Sequence, residues 1–243
     1  MMDKTLIICN TKNRPQICQR MLTSFHDTRG LEGTQIVFCL DYTDKHLHEY
    51  VDVLADELVM IKTPNYVAPV VNMVTKQLRT DYDYYGIIND DHVYRTKDWD
   101  KELIGTIKDK GNGWGMAHAN CLWHDSDIVC RHPSGLVLSA NIVRLLDYML
   151  WPGLRNFKTD TYLRDLVEPL KLQFYREDVV IEHMHVNVGK AEMDDNYRWS
   201  YCAEEQTLGN IEYAKWKLMW AEKDRNKIRK ALGRPLVNVN KGV

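Results

Sequence analysis

The feature that most constrains this chain is an alternation. Four short apolar runs, "TLIIC" (5–9), "QIVFCL" (35–40), "LVMI" (58–61) and "YYGII" (84–88), are separated by segments with helical character. A helical segment follows the first run through about Phe25. Residues 43–57 are amphipathic, with Leu47, Val51 and Leu54 at helical spacing, and 69–78 opens on a proline, which suits a first helical turn. Strands alternating with helices imply crossover connections, and these predict an α/β fold with a largely parallel sheet. Ligands of such sheets bind beyond the carboxyl ends of the strands. Polar residues fall at those ends: Thr11 and Arg14 after the first run, Asp41 after the second, Asp90 and Asp91 after the fourth.

Past residue 110 the runs shorten. "GNGWGMAHAN" and "SDIVC" read as short strands, and 134–150 as a strand entering a helix with Ser139 as its N-cap. Residues 158–170 form a further helix starting near Thr159 or Asp160, 172–185 two short strands around a charged turn, and everything from Asp194 on is helical. With no internal repeat or low-complexity linker, the economical organisation is one domain over 1–200 and a helical, basic extension over 201–243 packed on it. A chain of 243 residues has ample core for this. The apolar runs are too short to span a bilayer and the N-terminus lacks a signal-like stretch, so a cytoplasmic protein without a membrane partner is expected. The six cysteines form no CxxC pair and read as reduced, mostly buried small hydrophobes.

The chemistry centres on "GIINDDHVYRTKDWD" (86–100), where an apolar run ends in Asn89, Asp90, Asp91 and His92. Two carboxylates at a strand tip suit a hard divalent cation such as Mg²⁺ or Mn²⁺, which accepts carboxylate, imidazole and phosphate together. Successive residues of an extended chain point to opposite sides, so Asp90 and Asp91 are expected to divide the labour, one facing metal and one the rest of a ligand. A second cluster, His183 and His185, ends another apolar run; two apart, they would share a face if the strand persisted. The plainer readings are a solvated loop for the aspartates and surface or core positions for the histidines. Trp99 reads as a core anchor.

Taken in order, "NTKNRP" (10–15), "NDDHVYRTKDWD" (89–100), "SGLVLSANIVR" (134–144), "WPGLRNFKTDTYLRDL" (151–166) and "IEHMHVNVGKAEMDDNYR" (181–198) resemble GT-A nucleotide-sugar glycosyltransferases, most closely small bacteriophage enzymes of the DNA-modifying type. The resemblance spans roughly residues 5–200. It implies a GT-A, Rossmann-like fold with a mixed, largely parallel sheet flanked by helices, a divalent cation (Mn²⁺ or Mg²⁺) and a nucleotide-diphosphate sugar as co-substrate. By the same resemblance Asp91, with His183 or His185, holds the metal, and Asp90 contacts the donor or supports the cation. Asp41 is placed at the nucleoside, Thr11 and Arg14 at base and phosphates, and Asp160 as the catalytic base at a helix start. Asn89 stands where many relatives carry the first aspartate, a departure that leaves its ribose contact open. A hydroxymethylated pyrimidine in DNA is the implied acceptor; a glycan or small-molecule acceptor, a metal-dependent phosphoesterase and a non-catalytic binding module are the alternatives.

Charge distribution bears on the acceptor. From Ile211 to Val243 nine Lys/Arg face three acids, a tail of +6 (9 − 3), so the other residues carry −8 (−2 − 6). Ile211, Ala214, Leu218, Ala221, Ile228 and Leu232 form one stripe expected to pack on the body, and Tyr213, Trp216 and Trp220 a second. The tail is either a clasped helix, within the domain or at a dimer interface, or a surface that helps hold DNA through phosphates and a stacked base.

Overall fold

β1 (Thr5–Asn10) shows how the alternation becomes a core: Leu6 and Ile8 enter one apolar cluster while Ile7 and Cys9 enter another on the opposite face. A strand buried on both faces is the signature of a sheet covered by helices on both sides. In this computed structural model, which describes residues 3–123 and 132–238, the sheet runs β3-β2-β1-β4-β7-β6-β8-β5. The other strands are β2 (Thr34–Leu40), β3 (Leu58–Ile61), β4 (Tyr84–Asn89), β5 (His92–Tyr94), β6 (Met116–Asn120), β7 (Ser134–Ser139) and β8 (Gln173–His183). The first four in that order are parallel; β7 is antiparallel to both β4 and β6, β6 and β8 are parallel, and β5 returns antiparallel to β8. The architecture is therefore mixed, with its parallel half at the N-terminal end of the chain.

Helices α1 (Pro15–Thr28), α2 (Tyr50–Val53) and α4 (Trp99–Gly111) cover one face through Met21, Phe25, Tyr50, Leu103 and Ile107. The other face carries α3 (Val67–Gln77), α5 (Ala140–Leu146), α6 (Thr159–Val167), α8 (Ala203–Met219) and α9 (Ala221–Ala231), which contribute Val71, Ile142, Leu163, Trp216 and Ile228. Helix α7 (Asp195–Ser200) is short and lies over the carboxyl end of the sheet. Trp99 is 1% exposed, packed on Tyr94 and Phe25, and is a core anchor. Ser139 caps α5 by accepting from the Asn141 amide. The five described cysteines are free, four of them buried.

Three local expectations need correction. The helix expected over 43–57 is only a 3₁₀ turn (Leu47–Glu49) and the single turn of α2. Asp41 and Asp44 accept from the Thr43 and His46 amides, so the segment begins as side-chain-capped turns and the helix starts late. The two strands expected in 172–185 are one, β8, with a bulge: Ala119 pairs with Arg176 but Asn120 with Val180. Arg176 stabilises the bulge by bonding both Asp178 oxygens and Glu102. The C-terminal stretch is three helices, broken at Tyr201–Cys202 and Trp220, and stops at Ala231. Its expected stripe is split, with Leu218 86% exposed and Trp216 wholly buried instead. The strand expected at "SDIVC", with Cys130, lies outside the described residues.

Candidate active site

Thr11, Arg14, Asp41, Asp90, Asp91, Asp160, His183 and His185 all line one cleft of about 850 Å³ at the carboxyl ends of β1, β2 and β4. The β1–α1 loop is its first wall. Pro15 occupies the first helical position, where its missing N–H costs nothing, and Asn13 takes a left-handed φ of 55° that turns the chain back. The Tyr50 hydroxyl accepts from the Arg14 amide at 3.0 Å and pairs with Thr11 Oγ1 at 2.9 Å. Asp44 accepts from the Asn13 amide at 2.6 Å. Thus held, Thr11 Oγ1 donates to Asp90 Oδ2 at 2.8 Å and Arg14 Nη1 to Asp90 Oδ1 at 3.0 Å. At the end of β2, Asp41 accepts from Thr63, from the Thr43 amide and hydroxyl, and from Lys12 Nζ at 3.1 Å. Burial opposes its ionisation, but these donors hold the carboxyl far below the usual range.

The turn after β4 sends its two carboxylates apart. Asp90 faces the β1 loop; burial, reinforced by Asp91, raises it to about 6 against the pull of Arg14. Asp91 faces β5 and β8. Burial opposes its ionisation too, yet the charge and contact of His183, with His92, keep it well below the carboxylate range. The β5–β8 register pairs His92 directly with His183, stacking their rings 4.0 Å apart. Asp91 Oδ1 lies 3.3 Å from His92 Nδ1 and 3.1 Å from His183 Nε2, and none of these three buried atoms has a hydrogen-bond partner.

This arrangement fits a cation. Neighbouring ligands of an octahedral ion at about 2.1 Å lie about 3 Å apart, close to both spacings. Asp91, His92 and His183 offer ligand atoms all within 4.8 Å of one another. His92 is pushed down to about 4 by burial and by His183, so it presents a neutral imidazole at pH 7. Its Nε2 contacts Ser134 Oγ at 2.6 Å, where either atom can carry the proton; in the tautomer protonated at Nε2 the Nδ1 lone pair faces Asp91. An anion and a lone pair face to face are repulsive without a positive charge between them.

His185 stands apart from that trio. The strand ends at His183, so the two histidines do not continue one strand face; His185 Nδ1 accepts from the Asn187 amide and Nε2 meets Tyr201 Oη at 3.1 Å. Its ring stacks on Trp123 at 4.1 Å, and burial lowers it to about 4. Asp160 lies in the first turn of α6, half open to the cleft, accepting from the Thr161 amide with His132 Nδ1 3.6 Å away. Enclosure raises its pKa, and His132 with the Thr161 amide more than reverses that, so it is ionised at neutral pH.

Three residues of "MDDNYRWSY" carry site contacts that little in the sequence announces. Asp194 accepts from Arg14 Nε and Nη2 at 2.6 and 2.8 Å and caps α7. Tyr197 donates to Asp91 Oδ2 at 2.6 Å, and its ring lies 4.4 Å beneath the Arg14 guanidinium. Tyr201 meets His185. The one local signal is Asp194 ahead of a helical stretch, an N-cap pattern. His92 is visible in the motif, but its pairing with His183 comes only from strand register.

The topology and cleft have solved counterparts. The mannosyltransferase PcManGT from Pyrobaculum calidifontis, in complex with GDP-Man and Mn²⁺, matches at TM-score 0.60 and 10% identity, over 96% of this chain and 75% of that one. The fold is GT-A. Residues 1–349 of S. aureus TarS, in complex with UDP-GlcNAc, match at 0.55 and 12% identity over 95% of this chain and 80% of theirs. No protein-family model and no curated protein matches the sequence. In this GT-A chain no helix among the described residues is long and apolar enough to cross a membrane.

Proposed function

We propose that this GT-A chain is a metal-dependent glycosyltransferase that moves a sugar from a nucleotide-diphosphate sugar to an acceptor hydroxyl. The observation that carries this reading is the buried trio of Asp91, His92 and His183, with unpartnered atoms converging beside a cleft that also holds Arg14 and Asp160. Asp91 and the two imidazoles would hold the cation, with His185 packed edge-on against His183 and meeting Tyr201. A bound divalent ion supplies charge neutralisation for the departing diphosphate. Thr11 and Arg14 orient the phosphates with Asp90, Asp41 and Lys12 face the nucleoside, and Asp160 takes the proton of the attacking hydroxyl.

For the acceptor we propose a 5-hydroxymethylated pyrimidine in DNA. Its supports are the resemblance of the motif order to bacteriophage enzymes and the aromatic residues lining the cleft, where Tyr66 and Trp199 stack 5.6 Å apart. The test is a screen of UDP- and GDP-sugars with Mn²⁺. A donor at 100 times its Kd raises unfolding free energy by about 2.7 kcal/mol, and the shift is lost in Asp91→Ala. Hydrolysis of simple phosphoesters without sugar-nucleotide turnover would overturn the reading in favour of a phosphoesterase.

A further inference from the structure

Helix α7 does more than line the cleft. Asp91 has two oxygens with different surroundings: Oδ1 faces His92 and His183 without a hydrogen bond, whereas Oδ2 accepts the Tyr197 hydroxyl at 2.6 Å. The Arg14 guanidinium reaches Oδ2 only at 3.9 Å. A carboxylate free to rotate would offer either oxygen, or both, to an ion. Tyr197 removes that freedom by engaging one oxygen, and it is itself fixed: its ring packs under Arg14, its amide donates to Asp194 at 2.9 Å, and the residue is only 6% exposed. Asp194 binds Arg14 in turn, and Asn196 ties α7 to the Lys12 carbonyl.

We propose that Tyr197 is a positioning residue for the cation: it holds Asp91 so that Oδ1 alone is presented between the two imidazoles, while its ring and Asp194 hold Arg14 for the donor's phosphates. One segment of α7 therefore sets both the metal geometry and the anion clamp. This rests on the metal reading above. Partners that orient a ligating carboxylate contribute 10- to 100-fold to metal affinity as an order of magnitude, and the loss of the Tyr197 hydroxyl is expected on that scale.

The experiment is Mn²⁺ binding to the full chain, followed by electron paramagnetic resonance and calorimetry without any sugar acceptor. Tyr197→Phe keeps the ring under Arg14 and deletes only the hydroxyl. The expected result is roughly 10- to 100-fold weaker Mn²⁺ binding, with a broadened spectrum of the bound ion and unchanged metal-free affinity for a nucleoside diphosphate. Tyr197→Ala, which also strips Arg14 of its support, is expected to weaken the metal-free nucleotide affinity as well. A hydroxyl with a purely structural role would lower the metal-free melting temperature and leave Mn²⁺ affinity alone; that outcome overturns the proposal. Should the Phe chain not fold, Asn196→Ala, which merely loosens α7, must weaken Mn²⁺ binding in the same direction, and unchanged binding overturns the proposal equally. Equal Mn²⁺ affinity in wild type and Tyr197→Phe refutes the positioning role alone, whereas a wild-type chain that binds no Mn²⁺ refutes the metal reading and this proposal with it.

Discussion

Asp90 and Asp91 are adjacent in sequence and opposite in chemistry. One is held by a hydroxyl and a guanidinium from the β1 loop, the other meets the imidazole of adjacent His92 and, from far along the chain, the His183 imidazole and the Tyr197 phenol. Asp160 belongs to the same cleft but has different surroundings: its carboxylate is half open to solvent and faces His132 rather than Asp91, His92 and His183. Asp160→Asn should keep donor affinity, measured by calorimetry, and slow transfer by about 10²-fold or more, the scale of a general base. The sign of the pH effect follows from the lowered pKa: a base ionised below the usual carboxylate range leaves its own contribution to the rate flat through neutrality, with loss only as acid protonates it. A loss of rate between pH 7 and 6 that persists in Asp160→Asn belongs to another group, Asp90 being the carboxyl raised to about 6.

At the scale of elements, two pairings carry the site and the tail. The three-residue β5 strand is too short to be read from periodicity, yet its register against β8 alone brings His92 to His183. Helices α8 and α9 do not bury the one long stripe that their spacing predicts. They meet at Trp220 and bury Trp216, whose Nε1 donates to Asp224 at 3.0 Å while Tyr148 bonds the same oxygen at 2.6 Å. Trp216 packs edge-on against Tyr162 of α6, the helix that begins with the candidate base. Trp216→Ala should therefore cost about 3–5 kcal/mol of unfolding free energy, the range for deleting a buried aromatic. Urea denaturation measures it, and a loss below about 1 kcal/mol, outside that range, would mean that the C-terminal helices are not integral to this core.

Over the whole molecule, the tail's formal +6 already nets off Glu212, Glu222 and Asp224, and Asp165 of the body pairs with one cation more. Arg225 and Arg229 both pair with Glu222, Lys215 with Glu212, Lys217 with Asp165 and Lys227 with Asp224, and Arg234 bonds the Leu170 carbonyl. Lys223 lies over the Trp220 ring. These local partners favour a clasped tail, and the DNA proposal must overcome them. If α9 holds DNA, replacing Lys223, Lys227 and Lys230 with Glu should weaken duplex binding and flatten its salt dependence. The log–log slope should fall by about 0.9 for each phosphate that the helix no longer neutralises, with donor hydrolysis unaltered. Binding and transfer that ignore both salt and these charges would place the acceptor elsewhere on the molecule.

Much of the parallel half is legible in the sequence because it is local. The first four apolar runs become β1–β4, and crossover geometry carries polar residues after parallel strands to one edge, so Thr11, Arg14, Asp41, Asp90 and Asp91 had to gather there. The antiparallel insertion of β7, the β8 bulge and the short α2 are not legible, since each depends on partners chosen from distant sequence or on side chains that compete with the backbone. The same holds within the site. Sequence marks His183 and His185 alike, but where β8 ends and which strand it pairs with put His92 beside His183 and leave His185 to Tyr201 and Asn187. Tyr197 and Asp194 approach the aspartates and Arg14 across more than a hundred residues of chain, an approach that hydrophobic periodicity cannot encode because it is polar, single and made by tertiary closure.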